Sequence, residues 1–216
     1  MKERPIIFTG EMVRAILEGR KTQTRRIMPP LKHPNWTGYI LTSKKDAAIE
    51  CGPDYPDDDC DRVRNPYGVA GDRLWVRETF FYDDCFFMYG PLPKTPHQGW
   101  QDAFYYRADG ECCDQIPECC CCDLKGTTPW RPSIFMPRWA SRITLEITDV
   151  GVERLQDISA EDAIAESVDV GCVTSDFTDK LLPAFQRLWD SINAKRGFGW
   201  DKNPWVWVIT FKRVQP

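Results

Sequence analysis

The sequence predicts an α+β domain built around a small mixed β-barrel, with short flanking helices and two long loop-rich insertions. Three observations carry this. Segments with strand-like alternation outnumber those with helical spacing, and the helical ones are short. The 216 residues fit one domain, at roughly 100–200 residues each, with ample length for a core. Two stretches, about 32–66 and 81–132, are rich in Pro, Gly, Asp and Cys and carry little periodicity, so they read as insertions decorating a single domain over 1–216.

Taken in chain order, Ile6-Ile7-Phe8 is a short apolar strand, and Thr9 follows as a helix N-cap with Glu11 in the first turn, where the helix dipole favours an acid. Met12, Val13, Ile16 and Leu17 form the apolar stripe of that helix, and Gly19 ends it as the C′ residue. From Gly71 to Phe80 the alternation predicts one strand, with Leu74, Val76, Glu78 and Phe80 on one face and Trp75, Arg77 and Thr79 on the other. Ile143, Leu145 and Ile147 alternate with Thr144, Glu146 and Thr148 as a half-buried antiparallel strand. Ser159 caps a short helix through about Ser167, with Asp162 at the N3 place of a capping-box-like pattern and Ile158 stapled against Ala163. Leu181, Leu182, Phe185, Leu188, Trp189 and Ile192 recur at helical spacing, with Pro183 in the first turn and Gly197 ending the segment. The closing strand places Trp205, Trp207, Ile209 and Phe211 on one face and Val206 and Val208 on the other.

Composition narrows the function classes. Hydrophobic residues at 42% and charged ones at 28% exclude wholesale disorder and collagen-like or coiled-coil architecture. No run approaches the 18 or so apolar residues of a membrane span, and Ile6–Phe8 is too short for a signal-peptide core, so a cytoplasmic protein with no membrane partner is expected. Lys plus Arg is 28 against 32 acids, a net charge of −4, which excludes a basic blanket for nonspecific DNA coating. Any nucleic-acid contact must come from a local patch. With only His33 and His97 present, a multi-histidine metal centre is excluded, and the catalytic candidates are Lys, Thr, Asp, Glu and Cys.

One such patch stands out. Arg14, Arg20, Lys21, Arg25 and Arg26 fall within thirteen residues where the first helix ends. Charge alone permits a solvated helix end whose cations complement the dipole. The run Gly19-Arg20-Lys21-Thr22-Gln23-Thr24-Arg25-Arg26, however, matches every fixed position of G-x-K-x-x-T-x-R, and it follows an N-terminal strand and helix. Gly71-Asp72-Arg73-Leu74-Trp75-Val76-Arg77 fits G-D-x-L-x-V-R, and Pro204 to Phe211 with Lys212 forms a closing strand. Leu155-Gln156-Asp157-Ile158-Ser159, with Ala163 and Glu166, precedes it as a short capped helix.

These motifs resemble the ASCH domains, a branch of the PUA-like fold associated with RNA and modified nucleosides. The whole looks most like the longer ASCH proteins of phages and prophages and, more distantly, the bacterial N4-acetylcytidine amidohydrolases. The likeness covers about the structured half of the chain and neither insertion. It implies a PUA-like barrel whose catalytic group is Lys21, Thr24 and Glu166. In physical terms a threonine hydroxyl becomes a nucleophile when a neighbouring base takes its proton, and a lysine serves as that base when a partly dry, cation-rich site lowers its pKa. Glu166 would orient the lysine or handle the proton reaching the leaving amine, and Arg26 would hold an oxyanion or phosphate. Lys21 and Thr24, three residues apart, meet only if the chain turns between them. Arg20, Arg25, Arg26, Trp75 and Glu78 are the candidate substrate or nucleic-acid contacts, and Glu78, on the apolar face, needs a cation such as Arg26 or Lys21. The partner is then a nucleoside or single-stranded nucleic acid. The alternatives to hydrolysis of an acylated or modified base are a non-catalytic reader of RNA or modified nucleic acid, and cleavage of RNA by the same cluster. The sequence leaves the oligomeric state open.

Ten cysteines are many, and six lie between Cys112 and Cys122. Cys119 and Cys122 form a C-x-x-C that, with Cys112 and Cys113, has the makings of a structural zinc site; free thiols are the other reading. The chemistry proposed for Lys21 and Thr24 requires no cofactor. Among the nine tryptophans, Trp36, Trp100 and Trp130 sit in loop sequence, where an exposed ring can stack on a base or pack the loop. Arg131, Arg138 and Arg142, interleaved with Trp130 and Trp139, would extend a basic and aromatic surface from the signature turn.

Overall fold

Cap residues and short apolar runs set the elements along the chain. The computed structural model describes residues 1–32, 37–51, 61–82, 92, 104–110, 130–168 and 177–214. Among these the strands are β1 (Glu3–Ile7), β2 (Gln23–Ile27), β3 (Gly38–Leu41), β4 (Ala47–Cys51), β5 (Arg62–Arg64), β6 (Arg73–Arg77), β7 (Phe80–Tyr82), β8 (Phe104–Tyr106), β9 (Thr144–Arg154) and β10 (Trp205–Val214). The α-helices are α1 (Gly10–Leu17), α2 (Ala160–Ala165) and α3 (Phe177–Asn193). The class is α+β.

The main sheet has the order β1-β6-β9-β10-β2, with β1 parallel to β6 and every other pair antiparallel. Its long central strand β10 carries two cores. Trp207, Ile209 and Phe211 face a cluster built with Ile6, Val13, Ile16, Leu74, Val76, Leu145 and Ile147. Val206 and Val208 face the opposite cluster, where α2 and α3 contribute Ala163, Leu181, Phe185 and Trp189. Burying each such side chain contributes about 1.5–3 kcal/mol.

Among the described residues the sheet is open, with β1 and β2 as edges, where the sequence predicts a closed barrel. The two edges are nevertheless bridged by side chains. Arg26 donates from a terminal guanidinium nitrogen to the carbonyl of Ile7 at 2.6 Å, and its guanidinium lies 5.0 Å from the centre of the Phe8 ring. The curl that brings these edges together places the signature turn and the end of β1 side by side.

The helix ends behave as the sequence predicts. Thr9 Oγ1 accepts from the Met12 N–H at 3.4 Å, and Gly19 takes the left-handed φ of +76° that lets the chain leave α1. Ser159 Oγ accepts from the Asp162 N–H at 3.1 Å to open α2, but the Asp162 carboxylate turns to β2 instead of returning to the cap.

Several elements differ from the sequence reading. Residues 32–66, expected to be loop, contain β3, β4 and β5 as an antiparallel three-stranded sheet. Strands of three to five residues leave too short a pattern to register against their Gly, Asp and Pro neighbours. The expected strand Gly71–Phe80 divides: β6 ends at Arg77, and Phe80 opens β7, which pairs with β8 over a separate cluster of Phe80, Tyr82, Phe104, Met136 and Ala140. α3 begins at Phe177, so Pro183 lies in its second turn and forfeits one i→i−4 hydrogen bond. No helix among the described residues is long and apolar enough to cross a membrane.

Candidate active site

Turning out of α1 after Gly19, the chain buries Lys21 before β2 begins. Backbone N–H groups of Arg20 and Lys21 both donate to the Ala15 carbonyl, at 2.9 and 3.1 Å. The next residue is tied to another element: the Thr22 N–H donates to the Ala165 carbonyl at 2.9 Å, fixing the C-terminal end of α2 against β2. Because β2 is an edge strand paired only with β10, its outward N–H groups need partners. Glu166, the C-cap of α2, supplies one, accepting from the Arg25 N–H at Oε1 over 2.5 Å.

Lys21 meets the same carboxylate. Its Nζ is 2.5 Å from Glu166 Oε2 and also donates to the Glu166 carbonyl at 3.0 Å. Lys21 is 2% and Glu166 4% exposed, so this ion pair is dry on both sides. Burial pulls the Lys21 pKa below the ordinary lysine range by more than Glu166 restores, and Arg26 and Arg25 push it further down. A lysine so placed gives up its proton more readily than a solvated one.

Thr24, 3% exposed, lines a cavity of about 160 Å³ together with Glu166, Arg26 and the α3 side chains Phe185, Leu188 and Trp189. Its hydroxyl makes no hydrogen bond among the described residues, and no hydrogen bond joins it to Lys21. Glu166 pairs with Lys21 and lines the same cavity as Thr24. Glu166 also borders a second cavity of about 370 Å³, lined by Arg14, Arg20 and Ser167. Of the three residues expected to act together, the structure pairs Lys21, from the exit of α1, with Glu166, from the end of α2, and places Thr24 of β2 on the cavity that Glu166 lines.

The remaining candidates divide. Arg20 is exposed and bonds Glu18 and, at 2.7 Å, the Ser167 hydroxyl, holding the turn to the end of α2. Arg25 has its side chain fully covered and its donors committed: Gln23 Oε1 at 2.6 Å, Glu153 Oε1 at 2.6 Å and Asp162 Oδ2 at 3.0 Å. Burial lifts the Glu153 pKa despite Arg25, whereas burial of Asp162 is outweighed by Gln23 and Arg25, which hold it low. Arg25 thus ties β2 to β9 and α2 and does not project toward a ligand. Trp75 is buried on β6, with β9 and β10 between it and β2, and it is covered by Arg77 at 4.6 Å and Arg138 at 6.0 Å.

Glu78 is buried as expected, but its cation is Arg142, not Arg26 or Lys21. The pair is bidentate, at 2.9 and 3.0 Å, and Arg142 continues to Asp109. Burial raises the Glu78 pKa against the pull of Arg142. Glu78 follows β6, which β9 and β10 separate from β2 and its cations. Arg138 pairs with Glu3, so neither it nor Arg142 extends a surface from the signature turn. Cys112, Cys113, Cys119 and Cys122, with Trp36 and Trp100, lie outside the described residues; Trp130 is half-buried, its ring 6.5 Å from Phe81.

Sequence reasoning missed Glu153, Asp162 and Gln23 as the partners of Arg25, and Tyr67 and Arg196 as cavity residues. Asp162 carried a signal, an acid at N3, that capping alone already accounted for. Arg196 carried none. Comparison of the chain with protein-family models, with curated proteins and with solved structures gives no match.

Proposed function

We propose that the chain is an ASCH-type protein of PUA-like fold that hydrolyses an amide on an acylated or otherwise modified nucleobase. The observation that carries this reading is the dry Lys21–Glu166 pair, whose carboxylate lines the same cavity as Thr24. In its neutral form Lys21 keeps its N–H contacts to Glu166 and offers a lone pair to the Thr24 hydroxyl. Thr24 Oγ1 then attacks the acyl carbon, and the C–N bond breaks as the leaving amine takes the proton that Lys21 received. Water completes the cycle by hydrolysing the acyl ester on Thr24, with Lys21 as the base. Glu166 holds Lys21 in place and tunes it; Arg26 stands on the same face of β2 as Thr24 to meet negative charge.

A reader that grips phosphate through both Arg25 and Arg26 fits less well, because Arg25 is enclosed by carboxylates. The test is release of acetate from N4-acetylcytidine, followed by chromatography. The unmutated chain is expected to turn over, and Thr24→Ala to lower the rate by at least about 10³-fold while keeping the fold. No turnover by the unmutated chain rejects this activity.

A further inference from the structure

The cavity beside Thr24 holds two guanidiniums that, among the described residues, form no ion pair with a carboxylate. Arg26 follows Thr24 by two residues on one face of β2, about 6–7 Å along the strand. One terminal nitrogen is spent on the Ile7 carbonyl, while its Nε is buried with no hydrogen-bond partner. Arg196 comes from the 3-10 turn Ala194–Arg196 that follows α3, and it lies exposed at the rim of the same cavity. Its contact is a long one, 3.5 Å to Asn193 Oδ1. Among the described residues neither arginine is within ion-pair distance of an acid. Glu166, the nearest carboxylate lining the cavity, already accepts from Lys21 and from the Arg25 N–H. Burial is the main pressure on the charged form of Arg26; Tyr67 and Glu166 offset it and the Arg196 guanidinium adds to it, so the two cations feel each other across the cavity.

Like charges facing a partly dry cavity, one of them with an unmet N–H, are costly unless an anion joins them. Their planar forks suit the oxygens of a phosphate. We propose that this end of the cavity is a phosphate site formed by Arg26 and Arg196, so that the molecule reaching Thr24 is a phosphate ester, either a free nucleotide or a nucleotide within a strand. The identity of the group at the Thr24 end rests on the hydrolase reading. The phosphate site itself stands without turnover.

Calorimetric titration of the full chain with inorganic phosphate, cytidine, cytidine 5′-monophosphate and the dinucleotide CpC tests this. The monophosphate is expected to bind at least about 10-fold more tightly than cytidine, with an advantage that shrinks as salt is added. Arg196→Gln, at an exposed position, is expected to cut that advantage to about twofold or less and leave cytidine affinity unchanged. Arg26→Gln should cut the phosphate advantage further, but it also removes the bond to Ile7; should it fail to fold, Arg196→Gln decides. Tighter binding of CpC than of the monophosphate assigns the site to a strand, and the reverse assigns it to a free nucleotide. Equal affinity for cytidine and its monophosphate, no binding of inorganic phosphate or the monophosphate, or an advantage untouched by Arg196→Gln overturns the proposal. Phosphate binding that depends on Arg196 in a chain inert toward N4-acetylcytidine defeats the hydrolase reading alone.

Discussion

Replacing Glu166 by Gln removes one charge from a buried pair and nothing of its volume. At the 2.5 Å separation of Lys21 Nζ and Glu166 Oε2, Coulomb's law with an effective dielectric near 20 gives an attraction of about 6–7 kcal/mol. Drying each ion costs several kcal/mol, so the intact pair contributes little net stability. The single variant keeps the cost of burying Lys21 and loses the attraction. It also presents an amide with a single accepting oxygen, so either Lys21 or the Arg25 N–H faces an NH2 that only donates. A loss of about 3–5 kcal/mol is expected, the range for stranding one partner of a buried pair. With an m-value of about 2–3 kcal/mol/M in urea, the unfolding midpoint should drop by roughly 1–2.5 M without a change in slope, read by far-UV circular dichroism. Lys21→Met should also destabilise, and the double variant should lose less than the sum of the singles by about 1–3 kcal/mol. A Glu166→Gln chain within about 0.5 kcal/mol of the unmutated one, or strictly additive singles, refutes the claim that this carboxylate is what keeps Lys21 in the interior.

Thr24→Ala should abolish acetate release while moving stability by less than about 1 kcal/mol, because the hydroxyl it deletes makes no hydrogen bond among the described residues; equilibrium unfolding and the activity assay check the two halves. Turnover should rise with pH and level off below the ordinary lysine value of about 10.4, since the base form of Lys21 is the active one and burial depresses its pKa. Over the same window the unfolded chain binds the Lys21 proton and the folded chain does not, so stability should also rise with pH, and Lys21→Met should remove that part of the slope in pH-dependent urea titrations. Glu78→Gln should cost about 1–3 kcal/mol, because Arg142 loses a charged acceptor but keeps Asp109, and should leave kcat unchanged, which separates bracing of the β6–β7 corner from the chemistry at Thr24.

What the sequence made legible follows from the range of the interactions involved. The Thr9 cap, the Gly19 exit and the Ser159 cap are local, each settled within four residues, and all three form as the residues require. The meeting of Lys21 with Glu166 spans 145 positions and came from the motif likeness, not from any periodicity. The partners of Glu78 and Arg25 were out of reach for the same reason. Arg142 arrives from 64 residues away, and Glu153 and Asp162 from strand and helix neighbours that only the sheet order brings beside β2. The short strands of 32–66 failed on length, since three to five residues among turn formers carry no period.

The position of the candidate site follows from how the main sheet handles its edges. β2 pairs on one side with β10, and its other side carries N–H groups that must be satisfied. One of them, at Arg25, finds its acceptor at the Glu166 carboxylate, and just ahead of the strand the Thr22 N–H finds the Ala165 carbonyl, so the closing of an edge and the delivery of an acid to Lys21 are one event. Arg26 then spans the gap to β1 through Ile7, and Thr24, one residue before the Glu166 contact, lines the cavity that runs along the outer edge of β2. A variant that loosens this clamp without touching a charged group should therefore lose activity along with order at the edge. Ala165→Pro is the sharpest such change: it ends α2 early, by removing the N–H in its last turn, and displaces the carbonyl that Thr22 holds. Hydrogen exchange at the Thr22 and Arg25 amides is expected to speed up, and kcat to fall, while exchange in the β9–β10 ladder stays slow. Fast exchange at β2 with undiminished turnover would show that Glu166 reaches Lys21 without the edge contact, and the link drawn between sheet closure and catalysis would fall.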